Sequence, residues 1–193
     1  MTSKNSLVNM PPLILTLQKL LGEAGLLLDP DDCRPYCKGA RYGQGETLAV
    51  LRPDSHEQVV EIVRLCQTYH QALLLQGANT GLVAASTPDA SGRFFVLSLE
   101  RLKKHIAINV VNRSVEVDAG VSLHELNTAL EEHGLFFPID LAANPSIGGM
   151  IAANVLMSRA LAPIDMMVSS WRQYIGMREA FIRLEKLLVD FPA

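Results

Sequence analysis

The feature that most limits the fold of this chain is the stretch QGANTGLVAASTP, residues 76–88, which begins where the apolar run ALLL ends. It holds two glycines, three alanines, one Asn, one Ser and two Thr. The chain therefore stops a strand and lays down a loop with almost no side chains. Such a loop offers mainly backbone N–H groups. Glycine lets successive N–H groups converge, and the resulting concavity suits an anion such as a pyrophosphate. A second small-residue stretch, LFFPIDLAANPSIGGMIAAN at 135–154, carries Ser146, Gly148 and Gly149. Thr80, Ser86 and Ser146 add hydroxyl donors, and Asn79 adds an amide. Local physics leaves a purely structural turn and a ligand loop both open at 77–81, and the presence of two such loops points toward a ligand. No G-x-x-x-x-G-K-[ST] occurs, and GARYGQGE is not a G-x-G-x-x-G turn between strand and helix. A Walker loop and a Rossmann fingerprint are both absent.

Around these loops the sequence alternates helical and extended signals. Pro11 and Pro12 precede Leu13, Leu17, Leu20, Leu21 and Ala24, which share one helical face, and Gly25 stands where the helix should stop. DPDD reads as a loop and KGARYGQGE as a glycine-rich irregular segment. TLAVLR reads as a short strand ended by Pro53. Ser55 and Gln58 have the spacing of a capping box, opening a helix whose inner face carries Val59, Ile62, Val63 and Cys66. ALLLQ, RFFVLSL, HIAINVV and RSVEVDAG are further strands, the last alternating in its middle. Ser122 and Glu125 form another capping box, for a helix through Leu126, Ala129 and Leu130 to Gly134. The order predicts an α+β fold.

Composition excludes several classes of function. A formal charge of −3 shows no basic surplus and argues against nucleic acid as a partner. The three cysteines, Cys33, Cys37 and Cys66, are an odd number without a signal peptide, which predicts a reducing, cytoplasmic setting. Cys33 and Cys37 have no second pair and no His at ligand spacing, so no metal site is expected. The apolar run LILTLQKLLGEAGLLL is interrupted by Lys19, Glu23 and two glycines. It is also shorter than the roughly 20 apolar residues that a membrane span needs. His56, His70, His105, His124 and His133 read as solvated or helix-surface histidines, none paired with a carboxylate at ligand spacing, and RLKK at 101–104 as a solvated turn.

From about Leu13 to Asn154 the chain resembles the N-terminal part of a PCMH-type FAD-binding domain, of the vanillyl-alcohol oxidase superfamily. Within that superfamily it is similar to FAD-linked D-lactate and D-2-hydroxyacid dehydrogenases. The pieces that carry the likeness are YCKGARYGQGETLAVLRPDS, LLLQGANTGLVAASTPD, FFVLSLERLKKH, VEVDAGVSLHELNTALEEHGLFFPID and SIGGMIAAN, in that order. The resemblance implies FAD as cofactor. Its pyrophosphate loop would fall on Gly77, Ala78, Asn79, Thr80 and Gly81, with Ala85 and Ser86 just beyond. A second flavin-contacting segment would fall on Ser146, Ile147, Gly148 and Gly149, and Pro138 and Asp140 would run along the cofactor. Covalent attachment in this fold often uses a His in the first loop. Residues 76–88 contain none, which implies non-covalent binding. Ala85 stands where many relatives have Gly, and Met150 where many have Asn. The resemblance implies a small 2-hydroxyacid substrate for full-length relatives. It leaves the catalytic residues unassigned, because the rest of the flavin domain and the substrate cap are not in this chain, which is expected to be inactive alone.

From residue 155 the sequence changes character. SRALAPID and WRQYIGMREAFIRLEKLL resemble the end of the transmembrane region of type I secretion ABC transporters. Two segments are therefore expected: a partial FAD-binding domain at 1–154 and a helical tail of different origin at 155–193. In the tail Trp171, Tyr174, Ile175, Phe181, Leu184 and Leu188 recur at helical spacing, with Arg172, Glu179, Arg183 and Lys186 on the polar side. Such a stripe suits core packing or self-association, and it leaves peripheral contact with the inner face of a membrane open. A non-catalytic assembly module at a membrane complex is the alternative reading of the whole chain.

Overall fold

A computed structural model describes residues 12–155. The chain divides into two units after Met150. In the first, helix α1 (Pro12–Gly25) leads into strand β1 (Leu26–Leu27), and a short helix α2 (Pro30–Cys33) runs into a 3-10 turn at Arg34–Cys37. Strand β2 (Ala49–Leu51), helix α3 (His56–Thr68), strand β3 (Leu73–Gln76) and strand β4 (Phe95–Ser98) follow. Strands β5 (Ile106–Asn109) and β6 (Ser114–Val117) and helix α4 (Leu123–Glu131) come next. Residues 147–155 are helical. The expected tail at 155–193 lies, apart from its first residue, outside the described residues.

The first sheet has the order β1-β2-β4-β3, with β2, β4 and β3 parallel and β1 antiparallel to β2. Alternate residues face opposite sides of a strand. Ala49, Leu51, Phe95 and Leu97 thus pack with Leu17 and Leu21 of α1 and Ile62 and Cys66 of α3. Val50 and Val96 face the other way, against Cys33, Leu27, Tyr36 and Leu74. Apolar runs without alternation are what a parallel sheet covered on both faces requires. The strand ALLLQ is less enclosed than a buried strand: β3 is an edge, and Leu75 is 54% exposed. The second sheet is the hairpin β5–β6, whose Ile106, Ile108, Val115 and Val117 pack on Leu126 and Leu130 of α4.

Several local expectations are refined. The Ser122–Glu125 box is complete, with both reciprocal bonds present, at 3.2 Å and 2.8 Å. The Ser55 cap is one-sided: its Oγ accepts the Gln58 N–H at 3.3 Å. The Gln58 Oε1 instead accepts Asp54 N–H, because its Nε2 reaches across to the Leu20 carbonyl of α1. On α3 the inward face is Val59, Ile62 and Cys66, whereas Val63 is largely exposed. Helix α1 is kinked at Gly22, with φ 68°, before it reaches Gly25. Gly25 is needed for closeness: its carbonyl accepts Arg52 N–H at 2.7 Å, and a Cβ there would lie 2.8 Å from that of Leu21. RLKK is tied down by internal ion pairs, Arg101 and Lys104 to Asp54 and Lys103 to Glu125.

Candidate functional site

The bare loop begins at Gln76, whose side chain is fully buried at the end of β3. A buried amide must find partners, and Gln76 Nε2 donates to the Tyr36 carbonyl at 3.0 Å and the Ser86 carbonyl at 2.8 Å. It thereby closes residues 77–86 into a ring and fixes that ring to the segment after α2. Asn79 adopts φ 52°, a conformation Asn tolerates. Its Nδ2 donates to the Lys38 carbonyl at 2.8 Å, while its Oδ1 accepts the Ser86 hydroxyl at 3.1 Å. The Asn79 amide and the Ser86 hydroxyl, read from sequence as ligand donors, thus shape the loop. Thr80 Oγ1 has no protein partner among the described residues and is the side-chain donor left for a ligand.

The segment KGARYGQGE is the loop's counterpart, and sequence reasoning left it unassigned. Lys38 and Gln44 form an antiparallel bridge, and Gly39 N–H donates to the Gly43 carbonyl at 2.9 Å. A Cβ on Gly43, which has φ 85°, would sit 2.8 Å from the Ala84 Cβ. One on Gly39 would overlap the Tyr42 carbonyl and lie 2.8 Å from Thr87 Oγ1. One on Gly45 would overlap the carbonyl oxygens of Pro88 and Asp89. Gly45 makes way for the backbone of 88–89, Gly43 for the Ala84 side chain, and Gly39 for the segment's own turn and the Thr87 hydroxyl.

The second small-residue stretch meets the first at one point. Ser146 is buried, and its Oγ accepts Gly149 N–H at 3.3 Å, capping the helical residues from 147 onward. Ile147 N–H donates to the Val121 carbonyl at 2.8 Å, and Gly148 N–H to the Ala119 carbonyl at 3.0 Å, so the turn is stitched to the start of α4. A Cβ on Gly148 would lie 2.7 Å from that of Ala119. A Cβ on Gly77 would collide with Ser146 Oγ and come within 3.6 Å of the Gly149 Cα. The expected residues Gly77, Ser146 and Gly149 are therefore neighbours.

Tyr36, Lys38, Gly77, Ala78, Asn79 and Glu100 line a cleft of ≈ 310 Å³. The Tyr36 hydroxyl donates to Glu100 Oε1 at 2.6 Å, and Arg52 Nε lies 2.7 Å from the same oxygen. Burial, with the Glu100 bond adding to it, pushes the Tyr36 hydroxyl up to about 12. Gly81 and Ala85 are exposed, and nothing lies within 4 Å of a Cβ built on Gly81. Asp140 is placed apart: with His124 and Asn127 it lines a separate cleft of ≈ 340 Å³ that contains no residue of the 76–88 loop. Among the histidines, His56 does meet a carboxylate, with Nε2 3.4 Å from Asp118 Oδ1. Asp118 is buried, and its other oxygen accepts Lys104 and His105 N–H, each at 2.9 Å. That pairing spans distant parts of the sequence and could not be read from spacing. His105 also lies 3.8 Å from Glu116 across the hairpin. Among the described residues no group of His, Cys, Asp and Glu could hold a metal, and no helix is long and apolar enough to cross a membrane.

Residues 47–172 match the family described as FAD binding domain. The chain belongs to that family. The matched run continues past residue 154, where the change of character was expected. The chain is similar to D-2-hydroxyglutarate dehydrogenase of Xanthomonas citri pv. viticola, 37% identical over 146 residues, or 74% of this chain and 30% of that protein. It is also similar to the quinone-dependent D-lactate dehydrogenase of Escherichia coli K12, 37% identical over 61% of this chain and 21% of that one. It spans less than a third of either relative's length. Among solved structures it shares its fold with alkyldihydroxyacetonephosphate synthase, with a TM-score of 0.59 at 20% identity over 65% of this chain and 25% of that chain. The same holds for p-cresol methylhydroxylase, with a TM-score of 0.54 at 22% identity over 64% of this chain and 24% of that chain. The family match and these shared folds together make this an FAD-binding domain of the PCMH type.

Proposed function

We propose that residues 77–81, with Ala85 and Ser86 behind them and Ser146–Gly149 alongside, hold the pyrophosphate of FAD without a covalent bond. The observation that carries this reading is the meeting of Gly77 with Ser146 and Gly149, which joins the two backbone-rich turns into one surface. The residues fit a diphosphate. Gly77 abuts Ser146 with no room for a side chain, whereas Gly81 opens onto space, so an anion can reach the backbone there. Thr80 Oγ1 is a spare donor, and convergent N–H groups in turns of this kind favour anions. Residues 76–88 contain no His or Cys to form a covalent link. Asp140 lines a separate cleft, where it would run along a part of the cofactor beyond the pyrophosphate.

When bound, FAD would supply the oxidant for a 2-hydroxyacid, taking one hydrogen with two electrons from C2 while the hydroxyl proton leaves to a base or solvent, to give the 2-oxoacid. A D-2-hydroxyacid is the proposed substrate class, on the support of relatives named for D-2-hydroxyglutarate and D-lactate. The protein's part in this segment is to bind and orient. Gln76 and Asn79 hold the ring of the loop, and Gly39, Gly43 and Gly45 back it, so the N–H groups need no reorganisation when the anion arrives. On this reading the segment holds the cofactor.

The test is a visible absorption spectrum of the full chain after FAD is added and the sample desalted. Flavin bands near one equivalent are expected. A carboxylate brought beside the diphosphate by Gly81→Asp should lower affinity roughly tenfold or more, and the open space there keeps the fold intact. A folded chain that retains no flavin would overturn the reading.

A further inference from the structure

Two charged side chains line the cleft beside Gly77, Ala78 and Asn79, namely Lys38 and Glu100. They are in opposite conditions. Glu100 is already matched: Arg52 Nε lies 2.7 Å away and the Tyr36 hydroxyl donates to it at 2.6 Å. Lys38 is exposed and pairs with no carboxylate among the described residues, unlike Lys103 and Lys104. Its backbone is nevertheless fixed to the loop, because its carbonyl accepts Asn79 Nδ2 at 2.8 Å and it bridges to Gln44. The loop's own side chain therefore sets where Lys38 stands.

The charge balance gives this placement meaning. Neither QGANTGLVAASTP nor SIGGM contains a Lys or Arg. A diphosphate resting on those two turns would meet partial charges of N–H groups and one hydroxyl, and its full charges would be left without a matching cation. A lysine ammonium is a compact point charge with three donors, suited to phosphate oxygens. We infer that Lys38 is the cation that neutralises the diphosphate of the bound dinucleotide, an inference that rests on the flavin reading above. Lys38 is a binding residue, and the negative charge of Glu100 is offset by its ion pair with Arg52.

The experiment follows quenching of flavin fluorescence as FAD or riboflavin is titrated into the full chain, its Lys38→Met variant and its Lys38→Arg variant. Each titration is run at low and at roughly tenfold higher salt. Loss of the ammonium should weaken FAD roughly tenfold and flatten the salt dependence. Lys38→Arg should stay close to wild type, and riboflavin, which carries no phosphate, should bind wild type and Lys38→Met alike. Equal weakening of FAD and riboflavin would make Lys38 a structural residue and overturn the inference. So would FAD affinity unchanged in Lys38→Met with Gly81→Asp still impaired, and in that case the flavin reading would stand. A wild-type chain that binds no FAD would overturn both.

Discussion

The contact between Gly77 and Ser146 can be tested by a double-mutant cycle. In Gly77→Ala the new Cβ collides with Ser146 Oγ, while its next neighbours, Gly149 Cα at 3.6 Å and Ser146 Cβ at 3.7 Å, are at ordinary distances. One oxygen therefore carries the conflict. Ser146 can turn away only by releasing the Gly149 N–H that its Oγ holds at 3.3 Å, a capping bond worth about 1 kcal/mol. Crowding in a packed site adds about 1 kcal/mol. Gly77→Ala should thus destabilise by about 2 kcal/mol, and Ser146→Ala, which loses the cap alone, by about 1 kcal/mol. In the double variant no oxygen remains to collide, so its cost should stay near that of Ser146→Ala, a coupling of about 2 kcal/mol. Equilibrium urea unfolding followed by far-UV circular dichroism measures all three. Costs that simply add, to about 3 kcal/mol in the double variant, would show that the two turns do not touch and would remove the basis for a shared site.

Three further expectations follow from other parts of the molecule. Gly45→Ala drives a Cβ into the carbonyls of Pro88 and Asp89 and should cost about 3 kcal/mol or more, lowering the melting temperature, whereas Gly81→Ala should leave it nearly unchanged. After α3, Gln71 N–H bonds to the Cys66 carbonyl and His70 N–H to that of Gln67, with His70 at φ 52°. This is the place where glycine is favoured, so His70→Gly should raise stability by about 1 kcal/mol in the same urea assay. Burial raises the Cys33 and Cys66 thiols from 9.0 to about 11 and the Tyr36 hydroxyl from 10.0 to about 12. The folded chain then holds these protons more tightly than the unfolded one, so the associated stability is whole below pH 9, declines from there, and is lost as pH rises through 11 and 12. Melting temperatures across that range should fall, and a thiol reagent at neutral pH should react with the three cysteines only after denaturant is added.

Much of the scaffold was legible in the residues because local rules agree with the fold. AVL, LLLQ, FVLS, IAIN and SVEV all form strands within the runs read as extended, and Gly134 takes φ 66° after α4 as a helix stop should. Where long-range contacts decide, the residues were silent. Gln58 satisfies the spacing of a capping box, yet its amide goes to Leu20, a partner that only folding supplies. Leu26–Leu27 is too short to show a period, and its pairing with β2 makes it a strand. At the site the sequence marked both turns, but not the bonds by which Asn79 and Ser86 hold the loop in shape. The two bond to each other, and Asn79 also to Lys38. Gln76 looked like the end of a strand, and its burial turned it into the loop's clasp.

The dependence of residues 84–89 on Gly39, Gly43 and Gly45 has a consequence for anyone who would move this binding surface. The loop's curvature is not written in QGANTGLVAASTP alone, since half of its mould lies some forty positions upstream on the backbone of 37–46. Grafting the thirteen-residue stretch into another scaffold would deliver the small side chains without their backing, and the ring closed by Gln76 would have no Tyr36 carbonyl to fasten to. The heritable module is a pair of loops, and substitutions in one set the tolerance of the other.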